Sequence, residues 1–388
     1  MSTRASNSTL GITIGVVQFF FATTWTLYVI YLPQLAQAAG IGKQWVPWIL
    51  VADQVMFALA DVVTGFWVDR VRAGVARLGG WILGVTVLSS IAFLALSALH
   101  LSPVFLLAAI AVWAVTSSAL RSPPWALLGR HAAAPRLPRL AALVLTGSAL
   151  ASAIAPYLGV ALRGVDPKVP FVVSTLTLLA TVAALVFAER RIAGQSESLD
   201  DGSRLGGSVP VFYAALLIMA LGFQVHFSLN SPPRYLQFAA PAQLAWLMPV
   251  FWIGFNAAML AGPALVKRSG ALESMALAAG VGALAAYCAT LAPGLPVLVL
   301  FELIAGAAWG VASVGAYSAA IGFGRGGREG RFLGTLFAVL AIAAFARIAA
   351  YAADLVVEPQ IKAWLPWVPP AAWAAAALLL PAATSRSR

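Results

Sequence analysis

The chain has 388 residues, of which 61% are hydrophobic and only 10% charged, against about 45–50% apolar and about 25% charged in a soluble domain. So few charges cannot cover a water-soluble globule of this length, and the single cysteine, Cys288, excludes a disulfide scaffold. The composition belongs in a bilayer, and the net charge of +11 then has to be read as topology before it is read as affinity for nucleic acid.

A membrane-crossing helix takes about 20 apolar residues. Twelve such stretches lie between charged, Pro or Gly breaks: 11–35, 46–69, 78–99, 103–128, 140–162, 169–188, 209–231, 244–266, 272–292, 296–322, 332–356 and 364–383. The first follows a short segment with one basic residue, Arg4. It exceeds a signal-peptide core and ends without a small-residue cleavage motif, so it is expected to stay as a helix. The tight breaks at 100–103 and 293–296 each carry a Pro. With the N-terminus inside, 17 of the 24 Lys and Arg residues fall on the cytoplasmic side and five (Lys43, Arg163, Lys168, Arg234, Lys362) on the other, while Arg121 and Arg347 lie within helices. This is the positive-inside bias, and it predicts an even helix count with both termini cytoplasmic.

The polar stretch 190–208 divides the chain into predicted six-helix bundles, 1–189 and 209–388. Landmarks recur between them. Pro103-Val104 and Pro296-Val297 are 193 residues apart, as are Gly129 and Gly322; Arg70 and Arg268 are 198 apart, and Pro33 and Pro232, read as ends of helices 1 and 7, are 199 apart. The fold expected is all-α and integral to the membrane, with twelve transmembrane helices in two pseudo-symmetric halves that rock about a central site.

Helix 2 ends in Gly65-Phe66-Trp67-Val68-Asp69-Arg70-Val71-Arg72-Ala73-Gly74. This resembles the loop 2–3 signature of the major facilitator superfamily, a Gly, three residues, Asp-Arg, then a Gly among basic residues. Gly65, Asp69 and Arg70 match it; Arg72 and Gly74 are present out of the usual order. The acid that the superfamily tends to carry at the end of helix 4 is replaced by Leu128-Gly129-Arg130. The resemblance implies a secondary transporter of a small molecule working by alternating access. Gly65 would let helix 2 approach a neighbour closely, and Asp69 would face the positive N-terminus of helix 11 near Gly330 and Arg331. Gly147, Ala151, Ala155-Pro156 and Gly159 in helix 5 look like a degenerate antiporter pattern, and are read here as a close-packed, kinked helix.

Five charged residues fall inside the predicted helices: Asp53, Asp61, Arg121, Glu302 and Arg347. Each costs about 2.5–3.5 kcal/mol at mid-membrane unless paired or wetted, so by default each marks a polar path or an ion-pair lock. Asp61 is the most central acid of helix 2, with Asp53 about 12 Å further out, and both are candidates for proton or ion coupling. Asp61 reads as a proton carrier or as a structural acid bonded to helix 11. Glu302 reads as a coupling or substrate-contacting acid, or as half of a structural pair. Arg347 would hold an anionic substrate or pair with Asp61 or Glu302. Arg121, beside Pro123 and Pro124, would satisfy freed carbonyls or snorkel to the cytoplasm. Gln18, Thr24, Trp25 and Tyr28 on helix 1, and Gln224, His226 and Asn230 on helix 7, are weaker cavity candidates. Trp45, Trp48, Trp364 and Trp367 read as an interfacial belt.

No Walker sequence and no His/Cys cluster are present, so neither ATP nor zinc is expected, nor any other cofactor. The reading is a monomeric bacterial inner-membrane transporter of a small organic solute, coupled to protons or another cation, with 20 Arg against four Lys pointing to a GC-rich bacterium. Alternatives are a cation-coupled glycoside-type symporter, on Asp61 four residues before Gly65 but with Phe57 where a second acid would stand, and a membrane-embedded enzyme, for which no catalytic cluster is visible. Anion, cation and hydrophobic drug all stay open as substrate.

Overall fold

The computed structural model describes residues 2–70, 75–97, 102–193 and 204–384. Among them are twelve helices long and apolar enough to cross a membrane: α1 (Ser8–Ala38), α2 (Lys43–Arg70), α3 (Leu78–Leu96), α4 (Pro103–His131), α5 (Ala134–Ala161), α6 (Lys168–Arg190), α7 (Val209–Tyr235), α8 (Pro241–Ser269), α9 (Ala271–Thr290), α10 (Leu295–Gly324), α11 (Glu329–Ala352) and α12 (Pro359–Thr384). No strand occurs among the described residues. Apolar side chains turned outward, such as Leu260 (88% exposed) and Leu378 (81%), would be a liability in water and suit lipid.

Two of the expected helix ends are corrected. Pro33 lies inside α1, and α7 runs past Pro232 to Tyr235. Pro232 and Pro233 sit in the first turn of the segment Ser231–Tyr235, where a missing N–H breaks no helical bond. By contrast, the break before α4 is as predicted: Ser102 caps it, its hydroxyl accepting the Phe105 N–H at 3.3 Å, with Pro103 in the first turn.

In the first half α1 packs on α5 and α6, and α3 on α4 and α6; in the second, α10 packs on α8 and α9, and α12 on α7 and α9. The halves meet chiefly where α2 lies along α11 and α5 along α8. The α2–α11 crossing is close because it is built from glycines. A Cβ on Gly65 would strike the Gly330 carbonyl oxygen, and one on Gly334 would strike the carbonyl oxygen of Asp61. Gly147 of α5 plays the same part within the first half, against Gly15 of α1, while Gly159 has open space around it; the helix 5 pattern is thus a packing feature at one end only.

Larger side chains at the crossing must therefore force α2 and α11 apart, at about 1–3 kcal/mol. Gly334→Leu is expected to lower the melting temperature of the purified protein by several degrees. Gly84→Ala, at a glycine with nothing within 4 Å, should leave it unchanged; equal melting of both variants would refute the tight crossing.

Candidate functional site

Helix α4 is broken by its own sequence. A 3-10 turn at Ser118–Leu120 precedes Arg121, whose backbone lies at φ −94 and ψ −87, and the helix restarts at Ser122 with Pro123 and Pro124 in its first turn. The carbonyl of Leu120, freed by the break, accepts a hydrogen bond from Gln18 Nε2 of α1 at 2.7 Å. The break turns Arg121 toward α2, where its Nε lies 3.1 Å from Asp61 Oδ2, with the Asp61 side chain fully buried. The guanidinium also lies over the rings of Phe57 (4.9 Å) and Phe337 of α11 (5.2 Å). Tyr317 of α10, within the field of both charges, stacks on Trp125 at 4.1 Å. The pair thus belongs to the first half but is covered by the second. Arg121 neither caps the freed carbonyl nor snorkels, and Asp61 is bonded to α4 rather than to α11.

The same Ser-Pro-Pro sequence breaks α7. A π-turn covers His226–Asn230, and Ser231 then opens the segment containing Pro232 and Pro233. The turn brings His226 Nε2 to 3.2 Å from Glu302 Oε2 on α10. Ser231 Oγ stands 2.7 Å from Glu302 Oε1 and 2.9 Å from the His226 carbonyl oxygen, and its one hydroxyl proton serves one acceptor at a time. These three buried groups edge a cavity of about 440 Å³ that also takes in Asn230, Arg234, Tyr351 and Lys362. Asn230 is anchored by donating to the Leu365 carbonyl at 2.9 Å. Arg234 is committed to the carbonyls of Ala289 and Ala292, at the end of α9, and to Gln237. Arg347 pairs with neither Asp61 nor Glu302: its Nε donates to Gln224 Oε1 at 2.8 Å. Arg347 therefore sits half-buried with an uncharged partner.

Tyr28 and Asp53 form a third buried contact, the phenol donating to Asp53 Oδ2 at 2.7 Å. Trp25 joins Tyr28, Phe57 and Trp113 in an aromatic cluster with centroids 5.2–5.9 Å from its own. Tyr28 is completely buried, so in this conformation it supports Asp53 and does not line an open cavity.

At the face that bears the α2–α3 connection the halves are locked. Asp69 Oδ1 accepts the Gly330 N–H at 2.7 Å and Oδ2 accepts the Arg331 N–H at 2.9 Å, at the first turn of α11. A carboxylate here answers both the unpaired N–H groups and the helix dipole. Arg331 Nε lies 3.6 Å from the same carboxylate. Arg130 Nη2 donates to the Val68 carbonyl at 2.6 Å, and Nη2 of Arg325, just after α10, to the Ala132 carbonyl at 3.0 Å. Arg70 is exposed, and Arg72 lies outside the described residues. The charge of Arg130 acts on Asp69 and also on Glu189, a buried acid of α6 packed on Gly79.

Four partners escaped the sequence reading: Ser231, Arg130, Glu189 and Tyr317. The repeated Ser-Pro-Pro was the one signal that pointed to Ser231; Glu189, at a helix end beside two arginines, reads as solvated until α3 is placed over it. Among the described residues no three His, Cys, Asp or Glu side chains converge as metal ligands.

Residues 14–353 match the family described as Major Facilitator Superfamily. Among curated proteins none matches the sequence. The fold is that of a bacterial homologue of the iron transporter ferroportin in an outward-facing state with soaked iron (TM-score 0.76, 16% identity, 97% of this chain and 99% of that one). It is also that of the E. coli fucose:proton symporter FucP (TM-score 0.69, 14% identity, 97% and 98%) and of the human organic anion transporter MFSD10 (TM-score 0.67, 15% identity, 97% and 97%). With the family matched over most of its length, twelve helices and this fold, the chain belongs to the Major Facilitator Superfamily and is a multi-pass membrane transporter.

Proposed function

We propose that this transporter moves a small organic solute by alternating access and couples that movement to protons, with Asp61 as the principal carrier. The observation that carries the reading is the Asp61–Arg121 pair, 3.1 Å apart and buried under Phe337 and Tyr317 of the other half. A proton on Asp61 removes the charge that holds Arg121, so the state of this carboxyl bears on packing between the halves. Breaking a buried pair by removing one partner costs about 3–5 kcal/mol, enough to bias a two-state bundle. Glu302, with His226 and Ser231, is the second coupling group and edges the cavity in which we place the solute; Asn230 and Arg347 belong to the same half. Phe57 stacks on Arg121 where a glycoside-type symporter would carry its second acid, which disfavours that alternative.

The positive-inside count supports assigning the locked face to the cytoplasm of a bacterial inner membrane, with Asp69 as the latch. The likeness to an outward-facing ferroportin homologue supports taking this conformation as outward-facing. The three structural relatives are named for iron, for fucose with protons and for organic anions, so fold likeness does not choose the cargo.

A thermal-shift screen of organic anions, sugars and cationic drugs supplies a ligand for flux measurement in proteoliposomes. Uptake should exceed equilibrium under an imposed ΔpH and collapse with a protonophore. Asp61→Asn should lower ΔpH-driven accumulation tenfold or more while leaving ligand exchange at equilibrium. Unchanged accumulation in Asp61→Asn combined with Glu302→Gln would refute both carriers.

The latch has its own readout. Ile321 of α10 is buried against Gly129 of α4, so a cysteine at Ile321, in a Cys288→Ser background, reports opening of this face. Loss of the Asp69 charge at the helix terminus removes about 1 kcal/mol. Asp69→Asn should therefore raise the maleimide labelling rate roughly fivefold; an unaltered rate would show that the latch does not hold the face closed.

A further inference from the structure

A second cavity lies in the first half, away from the locked face. It is a crevice of about 550 Å³ between the first turns of α2 and those of α4, a volume typical of small-molecule sites. Its walls are Trp45, Trp48, Met56, Leu107 and Ile110, and Asp53 lies at its floor. Three wall residues are exposed at its mouth: Trp45 is 56% exposed, Trp48 42% and Leu107 44%.

Asp53 is fully buried. Its Oδ2 accepts a hydrogen bond from the Tyr28 hydroxyl, while its Oδ1 has no hydrogen-bond partner. No ion pair to Asp53 forms among the described residues. An acceptor oxygen left unpaired in such a place costs free energy until a donor or a cation meets it. Indole rings attract cations, and two of them, Trp45 and Trp48, line the same crevice among largely apolar side chains. A metal ion would need several oxygen or nitrogen ligands, which do not gather here.

We propose that this crevice binds a hydrophobic monovalent cation, such as an aromatic amine or phosphonium, entering from the membrane interface, with Asp53 as its counter-ion. Trp45 and Trp48 then do more than anchor the protein at the interface. The site is distinct from the cavity beside Glu302 and holds whether or not transport is proton-coupled.

The probe is tetraphenylphosphonium, followed on the detergent-purified full chain by equilibrium dialysis and by quenching of tryptophan fluorescence. Wild type should bind it saturably, and Asp53→Asn at least tenfold more weakly. Leu107→Trp, which fills the crevice from an exposed wall and leaves the core alone, should abolish binding and serves if Asp53→Asn does not fold. Tetraphenylborate, of the same shape and opposite charge, should bind at least tenfold more weakly than the phosphonium. Absence of saturable binding, equal binding of the two ions, or loss of binding in Asp61→Asn with retention in Asp53→Asn and Leu107→Trp would each overturn the assignment.

Discussion

Asp61 and Arg121 meet at 3.1 Å inside a bundle whose surroundings are almost wholly apolar, and much of the local architecture is what keeps them together. Neither charge is tolerable there alone. Arg121 reaches α2 only because α4 unwinds before it, and α4 can unwind because Pro123 and Pro124 give up no helical bond in a first turn. The unwinding leaves the Leu120 carbonyl without a helical donor, and Gln18 answers it from α1. Phe57 and Phe337 then close over the guanidinium. One ion pair thus ties together α1, α2, α4 and α11, across the boundary between the halves.

The second broken helix is not a copy of the first. In a six-plus-six repeat α4 corresponds to α10 and α7 to α1, yet the Ser-Pro-Pro sequences fall in α4 and α7. In the first half the broken helix carries a permanent cation and the acid sits on a straight helix. In the second, the broken helix carries His226, whose charge depends on protonation, together with a hydroxyl that shares Glu302. A pair made with Arg cannot be dissolved by deprotonating the base, whereas a His–Glu pair can lose its attraction from either side. The proposed division of labour follows from that difference: in one half an acid faces a fixed charge, and in the other an acid faces an imidazole.

The twelve spans and the latch were legible because they depend on one-dimensional properties. Apolar run length sets spans, and Gly65 with Asp69 is a local signature whose partners, Gly330 and Arg331, lie at the start of a single later helix. Pairing inside the bundle is a different kind of fact. The sequence places Asp61, Arg121, Glu302 and Arg347 at depths, but the direction in which each faces around its helix depends on breaks and tilts. Arg347, read as holding an anionic substrate or pairing with Asp61 or Glu302, donates to Gln224; Arg121, read as serving its own backbone or snorkelling, meets Asp61. Pro33 and Pro232 looked like helix ends because a proline usually stops a helix in water, whereas inside a membrane bundle neighbours stabilise the kink and the span continues.

The magnitudes also constrain how such a bundle can switch. Moving a two-state equilibrium from 1:99 to 99:1 takes about 5.5 kcal/mol. The charge–dipole contribution of Asp69 at α11, about 1 kcal/mol, is too small to command that shift, though it suits a latch that must open in every cycle. The glycine crossing of α2 on α11 adds close packing, but packing contacts do not sense a gradient. A buried ion pair, at about 3–5 kcal/mol when one partner is lost, comes nearest to that size and also responds to a proton, and the described residues hold two, Asp61–Arg121 and His226–Glu302. In the proposed cycle, then, the latch sets which face rests closed, the crossing sets how tightly it closes, and protonation of Asp61 beneath Phe337 decides when it lets go.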